Sequence, residues 1–112
     1  ISKIKPDKRK SAVLHSRIVG MTTTGAAKYD DLLMNSSPRI VIVEEAAEVL
    51  ESHIIPCLLP NCQHLILIGD HQQLQPCVNI QELSDKYHLD ISLFERMVNN
   101  KLHLCTLNII SF

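Results

Sequence analysis

The 112-residue chain has no tryptophan, and aromatic residues make up only 4% of it. Its hydrophobic share of 46% is therefore mainly aliphatic, and no repeat or low-complexity segment interrupts it. No apolar run approaches the roughly 18 residues that a membrane helix needs, and no signal peptide is present. The sequence therefore predicts a globular domain without membrane insertion.

The net charge is close to zero, and the cysteines are few. Eleven basic and twelve acidic side chains leave a formal charge of −1, which gives no overall attraction to nucleic acid. Four cysteines do not make a dense disulfide framework, so we expect a reduced, intracellular protein. We further expect it in the cytoplasm rather than the nucleus. Five of the first ten residues are Lys or Arg. This basic start predicts a solvated surface, with a nucleic-acid contact as the alternative.

Two short apolar runs, each ending in acid, organise the centre of the chain. Ile40–Val43 is followed by Glu44-Glu45, and residues 65–68 are followed by Gly69-Asp70. Neither run alternates with polar residues, which is typical of strands buried on both faces of a parallel sheet. Because the intervening residues suffice for a crossover helix, the sequence predicts a right-handed βαβ unit. Both acid-bearing strand ends then lie at the edge where open α/β sheets bind ligands.

Other segments predict short elements around this unit. They are strands at 17–21 and 102–107, and helices at 26–34, 46–55, 80–88 and 91–99.

The two acids after the first strand suit the hydrolysis of a nucleoside triphosphate. That reaction needs Mg²⁺ held by a carboxylate and a group that positions or deprotonates the attacking water, and Glu44 and Glu45 offer both. The alternative is that these acids simply stabilise the first turn of the following helix. Asp70, Gln72 and Gln73 place a second polar group at the same edge, where a Gln amide can donate to a phosphate oxygen.

Three consecutive hydroxyls form a further candidate site. Thr22, Thr23 and Thr24 precede Gly25, and this pattern predicts the entry of a helix. Hydroxyls and backbone N–H groups at such an entry can bind phosphate oxygens. A simple N-cap is the alternative, and the residues alone leave both open.

Three strings carry a family resemblance: VIVEEAAE, LILIGDHQQLQP and SLFERM, in this order. Together they resemble motifs II and III of the Upf-like (Dna2/Nam7-type) superfamily 1 helicases, in particular the large helicase-like proteins that also carry NF-X-type zinc fingers. VGMTTTGAAKY resembles the nucleic-acid-contacting segment that precedes motif II in that family. The resemblance covers residues 17–107, and GDHQQLQP is its most specific part.

The resemblance implies a partial RecA-like domain of the P-loop NTPase type, with a parallel sheet and flanking helices. Such a domain uses ATP and Mg²⁺ to move along nucleic acid, with RNA favoured over DNA. By the same resemblance Glu44 binds Mg²⁺ through water, Glu45 activates the attacking water and Gln73 senses the γ-phosphate. Gly69 and Asp70 shape the nucleotide-binding loop.

The chain also departs from the family pattern. Glu44 stands where most of the family has Asp, and Glu48 where Gln is common. No G-x-x-x-x-G-K-[ST] occurs, so the phosphate-binding loop is missing from these residues. After Leu107 the expected aromatic-Gln-x-Arg-Met segment is replaced. We therefore expect residues 1–112 to be a piece of a helicase ATPase domain, incomplete at both ends, that needs the rest of the helicase chain and does not hydrolyse ATP alone.

Two other interpretations compete with this one. His53, Cys57, Cys62 and His64 offer zinc ligands, but their spacing differs from structural zinc sites, and the first two fall on the apolar face of the predicted helix. We expect core or boundary residues and no zinc in this segment. The second alternative is a non-catalytic module that binds RNA or protein through Thr22–Thr24 and the basic start. Whether the chain is itself an enzyme stays open.

Overall fold

The computed structural model describes residues 6–106 of the 112. These residues fold into two compact units, which we call the first unit (residues 6–43 and 52–66) and the second unit (residues 44–51 and 67–106). In chain order the elements are α1 (Pro6–Leu14), α2 (Thr23–Lys28), α3 (Asp30–Ser36), β1 (Ile40–Val43), α4 (Glu51–Ile54), a 3₁₀ turn (Ile55–Cys57), β2 (His64–Leu67), α5 (Gln81–Tyr87) and α6 (Leu93–Asn99).

Two strands form the sheet of the described residues, and they run parallel. The N–H groups of Gln63 and His64 donate to the Arg39 carbonyl at 2.8 and 3.1 Å, just before β1. Just after β1, the Ala46 N–H donates to the Ile68 carbonyl at 2.8 Å. The residue numbers of both strands increase from the first pairing to the second, so the strands are parallel. The parallel α/β arrangement is therefore confirmed. The first strand has the predicted bounds, and the second begins one residue earlier than predicted.

The prediction that both strands are buried on both faces is wrong. Ile40 and Ile42 are 56% and 59% exposed, whereas Val43 is only 8% exposed. Exposure also alternates along β2. Because side chains of a strand point alternately to opposite faces, one face of this two-stranded sheet is left open by the described residues.

Two predicted helices are interrupted for local reasons. The helix predicted at 26–34 divides into α2 and α3 because Tyr29, with φ −119° and ψ 34°, leaves the helical conformation. The helix predicted at 46–55 shrinks to α4, since residues 44–47 form a turn in which Glu45 has φ 51°. A left-handed residue cannot continue a right-handed helix. Pro56 then confines the chain to a 3₁₀ turn.

The remaining predictions have mixed outcomes. α5 and α6 are confirmed, with slightly narrower bounds. No strand forms at 17–21, where the chain has no regular structure. Residues 102–106 are likewise irregular, so the strand predicted there is wrong over that range, while Leu107 lies outside the described residues.

Each unit has its own small core. In the first unit α1 packs on α3, and α2 packs on the 3₁₀ turn. Among the residues whose burial the structure describes, the buried apolar ones are Ala26, Leu33, Val43 and Ile54 in the first unit, and Ala46, Ala47, Pro76, Leu93 and Phe94 in the second. Within residues 6–106, every helix is too short or too polar to cross a membrane.

Candidate functional site

The turn formed by residues 44–47, here called the acid turn, begins directly after β1. The side chains of Glu44 and Glu45 are exposed, while Ala46 is 0% and Ala47 3% exposed. Neither carboxylate forms a hydrogen bond or ion pair with another residue in the described part of the chain. The two alanines therefore anchor the turn, and the two acids remain available to a ligand.

Glu45 has an uncommon backbone conformation. Among residues 6–106, four non-glycine residues have positive φ: Ser37, Glu45, His88 and Lys101. Ser37, His88 and Lys101 follow the ends of α3, α5 and α6, where a left-handed residue is ordinary. Glu45, with φ 51°, instead follows a strand. A left-handed L-residue costs roughly 1–2 kcal/mol and persists only where its surroundings impose it.

The surroundings that impose this conformation lie at the end of β2. Besides the hydrogen bond from Ala46 to Ile68, the backbone of Gly69 comes very close to the acid turn. A Cβ placed on Gly69 would lie 2.8 Å from the Ala47 nitrogen, 3.2 Å from the Ala46 nitrogen and 3.3 Å from the Ala47 Cβ. Only glycine allows this approach. The structure thus brings Gly69 against the turn that carries Glu44 and Glu45.

Residues 69–73, here called the glutamine loop, are organised by Asp70. Its Oδ1 accepts from the Gln72 N–H at 2.9 Å, and its Oδ2 accepts from Gln73 Nε2 at 2.8 Å. The Gln73 side-chain hydrogen bond, and then the Gln72 N–H, lower the pKa of the Asp70 carboxyl. Desolvation opposes them, and the nearby His71 adds a further, weaker lowering. Asp70 therefore orients the Gln73 amide, which keeps one N–H and its carbonyl oxygen for other partners.

Helix α6 contacts other parts of the second unit through Arg96 and Phe94. Arg96 Nε and Nη2 donate to the two oxygens of Glu51 at 2.8 and 2.5 Å, a bidentate pair that raises the pKa of the arginine. The rings of His71 and Phe94 are 6.1 Å apart at 42°. Glu51 and Arg96 are residues that sequence reasoning missed. They stand 45 positions apart, and no local signal joins them.

The N-cap of α6, in contrast, can be recognised in the sequence. The string Ser92-Leu93-Phe94-Glu95 has the S-x-x-E spacing of a helix N-cap. The buried Ser92 hydroxyl accepts from the Glu95 N–H at 3.1 Å, as that spacing predicts. The SLFERM string is thus the first part of a capped helix, with Leu93 and Phe94 in the core.

The threonine segment, Thr22–Thr24, lies in the first unit. The Thr22 hydroxyl caps α2 by accepting from the Gly25 N–H at 3.0 Å. Thr23 is half-buried and Thr24 exposed. A cavity of about 180 Å³ in the same unit is lined by Thr23, Thr24, Ala27, Ser52, His53 and Pro56. The N-cap interpretation therefore holds for Thr22, while a contact with nucleic acid stays a prediction.

The sulfur and imidazole groups considered for zinc have other contacts. Cys57 Sγ donates to the His53 carbonyl at 3.8 Å, and Cys62 Sγ donates to the His64 carbonyl at 3.5 Å. Burial raises the pKa of the Cys57 thiol, which disfavours the thiolate that zinc requires. His53 is exposed, so its predicted place on an apolar helix face is wrong. Within residues 6–106, no three His, Cys, Asp or Glu side chains are grouped to hold a metal ion.

The acid turn offers ligands for Mg²⁺ rather than for zinc. Mg²⁺ prefers oxygen ligands and keeps several waters, so one or two carboxylates plus substrate phosphates suffice. Glu44 and Glu45 supply exposed carboxylate oxygens at the carboxyl end of a parallel strand. The residues present therefore match the donor chemistry of a magnesium–nucleotide complex.

Comparison with known proteins gives consistent matches. Residues 1–81 match the profile of a family described as an AAA domain. The human NFX1-type zinc finger-containing protein 1 is 58% identical over 93 residues, which are 83% of this chain and 5% of that protein. The Schizosaccharomyces pombe helicase required for RNAi-mediated heterochromatin assembly 1 is 46% identical over 98 residues, 86% of this chain and 10% of that protein.

A more distant match is the ATP-dependent helicase NAM7 of Saccharomyces cerevisiae, which is 30% identical over 82 residues, 73% of this chain and 8% of that protein. The chain spans a tenth or less of the length of these three curated relatives.

Proposed function

Because this chain belongs to the Upf1-like superfamily 1 helicases and carries part of their AAA domain, we propose that its second unit supplies the hydrolytic residues of an ATP site. In this proposal Glu44 binds Mg²⁺ through water, and Glu45 activates the water that attacks the γ-phosphate. Gln73 contacts the γ-phosphate from the glutamine loop, which Gly69 and Asp70 shape.

The observation that carries the proposal is the acid turn itself. Two acids without a partner in the described chain follow a parallel strand, and the second one has a left-handed backbone. A turn that only stabilised the next helix would not need this conformation, and α4 begins only at Glu51. Strained backbone of this kind is concentrated at functional sites. The alternative of a helix-stabilising role for Glu44 and Glu45 is therefore disfavoured.

The proposed chemistry uses a small number of groups. The Glu45 carboxylate accepts a proton from water as the water oxygen bonds to the γ-phosphorus, and the bond from that phosphorus to the bridging oxygen breaks to release ADP. Mg²⁺, when bound, neutralises charge on the phosphate oxygens. Asp70 keeps Gln73 oriented, so that its remaining N–H can donate to a phosphate oxygen.

The substrate that we propose for the whole protein is RNA rather than DNA. The fission yeast relative is named for an RNAi-mediated process, which supports this choice. Thr22, Thr23 and Thr24 are the candidate contacts with the nucleic-acid backbone. The Thr22 hydroxyl accepts from the Gly25 N–H and keeps its own O–H to donate to a phosphate oxygen. The 112 residues contain no G-x-x-x-x-G-K-[ST] string, so the proposed activity belongs to a polypeptide that joins them to a phosphate-binding loop.

Glu45→Gln tests the proposal in that full polypeptide. We expect the kcat of ATP hydrolysis to fall by about 10²–10⁴-fold, because the proton acceptor is lost. Binding of a fluorescent ATP analogue should persist, because the substitution removes no phosphate ligand. Glu82→Gln is the matched control, since Glu82 is an exposed acid that pairs with Lys86, four residues later in its own helix. Hydrolysis that survives Glu45→Gln at the rate of this control would refute the assignment.

A non-catalytic module that binds RNA or protein is the second candidate function, favoured by the exposed Thr24 and by the cavity that Thr23 and Thr24 line. Filter binding of a single-stranded RNA across salt concentrations, combined with an ATPase assay of the same polypeptide, distinguishes the two. Contact with the RNA backbone requires affinity to fall steeply as salt rises, because counterions are released on binding. Salt-dependent RNA binding in a polypeptide that does not hydrolyse ATP would favour the module.

A further inference from the structure

We propose that Gly69 is a positioning residue for Glu45. The close approach of its backbone to Ala46 and Ala47, here called the glycine joint, fixes the left-handed turn from which the Glu45 carboxylate projects. This inference rests on the proposed function of Glu45, and it assigns Gly69 a role beyond shaping its own loop.

The glycine joint leaves no room for a side chain at position 69. A Cβ there would meet the Ala47 nitrogen at 2.8 Å and the Ala46 nitrogen at 3.2 Å. Real Cβ atoms essentially never come within 3.0 Å of such an atom. Both neighbouring atoms belong to the backbone, so neither can rotate away as a flexible side chain could. Adding a single methyl group must therefore displace the acid turn.

Ala46 and Ala47, which face Gly69 in the glycine joint, are also held in place. The Ala46 N–H donates to the Ile68 carbonyl at 2.8 Å, which ties the turn to the residue before Gly69. Ala46 and Ala47 are almost fully buried, so the turn cannot move outward without exposing them or breaking this hydrogen bond. The turn is thus held by one hydrogen bond and by direct contact.

Glu45 is the residue that this constraint affects most. Its φ of 51° lies directly before the tethered Ala46, and no helix end accounts for that value. If the tether is displaced, Glu45 can relax to the right-handed region that an L-residue prefers. A rotation of the backbone at this point redirects the whole side chain. The carboxylate would then leave the position from which it can reach the attacking water.

Gly69 also begins the glutamine loop. The next residue, Asp70, accepts the two hydrogen bonds that orient Gln73. One short stretch of backbone therefore contacts the acid turn and starts the loop proposed to contact the γ-phosphate. The glycine joint is the physical link between these two parts of the second unit.

Gly69→Ala in the full polypeptide tests the inference by steady-state kinetics. We expect kcat to fall about 100-fold, the scale of effect that a misplacement of a catalytic group by about 1 Å produces. We expect KM for ATP to change less than about threefold, because no ligand of the nucleotide is removed. A loss of folded protein would also lower the apparent kcat at unchanged KM. The kcat is therefore calculated per nucleotide-binding site, with the concentration of sites titrated by the fluorescent ATP analogue.

Hydrogen exchange of the Ala46 amide gives a readout that does not depend on activity. We expect Gly69→Ala to accelerate it, because the hydrogen bond to Ile68 is strained or broken. Gly20→Ala is the matched control, since nothing lies within 4 Å of a Cβ at Gly20, and the Ala46 amide should then exchange at the wild-type rate.

If Gly69→Ala prevents purification, Ala47→Gly tests the same joint by loosening it. Removing the methyl group and freeing the backbone should accelerate exchange of the Ala46 amide by about threefold or more. Unchanged exchange and unchanged kcat in either variant would overturn the inference.

Comparison with Glu45→Gln identifies which idea fails. Survival of hydrolysis in Glu45→Gln contradicts the proposed function itself. Loss of hydrolysis in Glu45→Gln, together with a kcat within twofold of wild type in Gly69→Ala, contradicts only the positioning role.

Discussion

The threonine segment and the acid turn are held by different kinds of contact. Thr22 is fixed by a hydrogen bond to Gly25, three residues later in the same helix. Glu45 is fixed by the residues that follow β2, through the hydrogen bond from the Ala46 N–H to the Ile68 carbonyl and the approach of Gly69. The first geometry is local and unstrained, whereas the second is imposed from a distance. A strained residue needs tertiary contacts, so the acid turn depends on the fold in a way that the threonine segment does not.

The largest expected effect comes from removing a core residue of the second unit. Phe94 is 8% exposed, and its ring lies beside His71 of the glutamine loop. Phe94→Ala should lower the free energy of unfolding by about 3–5 kcal/mol, because transfer and cavity costs add. Urea denaturation measures this change, and Phe94→Leu should cost less. A loss below about 1 kcal/mol for Phe94→Ala would show that the second unit does not rely on this packing.

Backbone strain at Glu45 predicts the next effect. Glu45→Gly should be more stable than Glu45→Ala by about 1–2 kcal/mol, because glycine adopts positive φ without steric conflict. Thermal unfolding of the two variants measures the difference. The difference in stability between Lys101→Gly and Lys101→Ala is the reference for this comparison, since Lys101 has a similar φ of 58° but lies beside a helix end. Equal stability of the two Glu45 variants would remove the evidence for strain.

The N-cap at Thr22 predicts a smaller, local effect. Thr22→Ala should destabilise the first unit by about 1 kcal/mol, because the Gly25 N–H loses its acceptor. Thr22→Ser keeps an acceptor and should be nearly neutral. Chemical denaturation of both variants gives the comparison. If the two are equally destabilised, the hydroxyl does not act as a cap.

The smallest effect concerns the pH dependence of the glutamine loop. The pKa of Asp70 lies below its ordinary value of 3.8 because Gln73 and Gln72 donate to its charged form. A carboxyl with a lowered pKa in the folded protein contributes stability above the unfolded pKa and loses it as pH falls through the folded pKa. The NMR signals of the Gln73 side-chain amide should therefore shift with a midpoint below 3.8, and Asp70→Asn should abolish this titration. A midpoint at or above 3.8 would contradict the hydrogen bonds.

The same contrast explains what the sequence could predict. Apolar runs and their acid ends located β1 and, within one residue, β2, because a short β-branched or leucine-rich run bounded by polar residues is a local pattern. The caps at Thr22 and Ser92 also follow from local spacing. The pair formed by Glu51 and Arg96 has no local signal, because the two residues meet only through folding.

The acid turn shows the limit of periodicity. Apolar spacing from Ala46 onward resembles a helix, but Ala46 and Ala47 are buried against Gly69 rather than on a helix face. The presence of Gly69 was readable from the sequence, and the family resemblance marked it as part of a loop. Its contact with another strand end was not readable, since a glycine that permits close approach looks the same as one in any turn.

The open face of β1 has a consequence for any solution of the isolated chain. Ile-Val-Ile-Val carries no charge, no proline and no glycine, and its two isoleucines are more than half exposed. Short β-branched segments of this composition are prone to cross-β stacking with identical copies, because an unpaired strand edge accepts a new strand. The charged Arg39 and Glu44 that flank the segment act as gatekeepers, since like charges repel in an in-register stack. Salt that screens these charges should therefore promote self-association of the isolated chain.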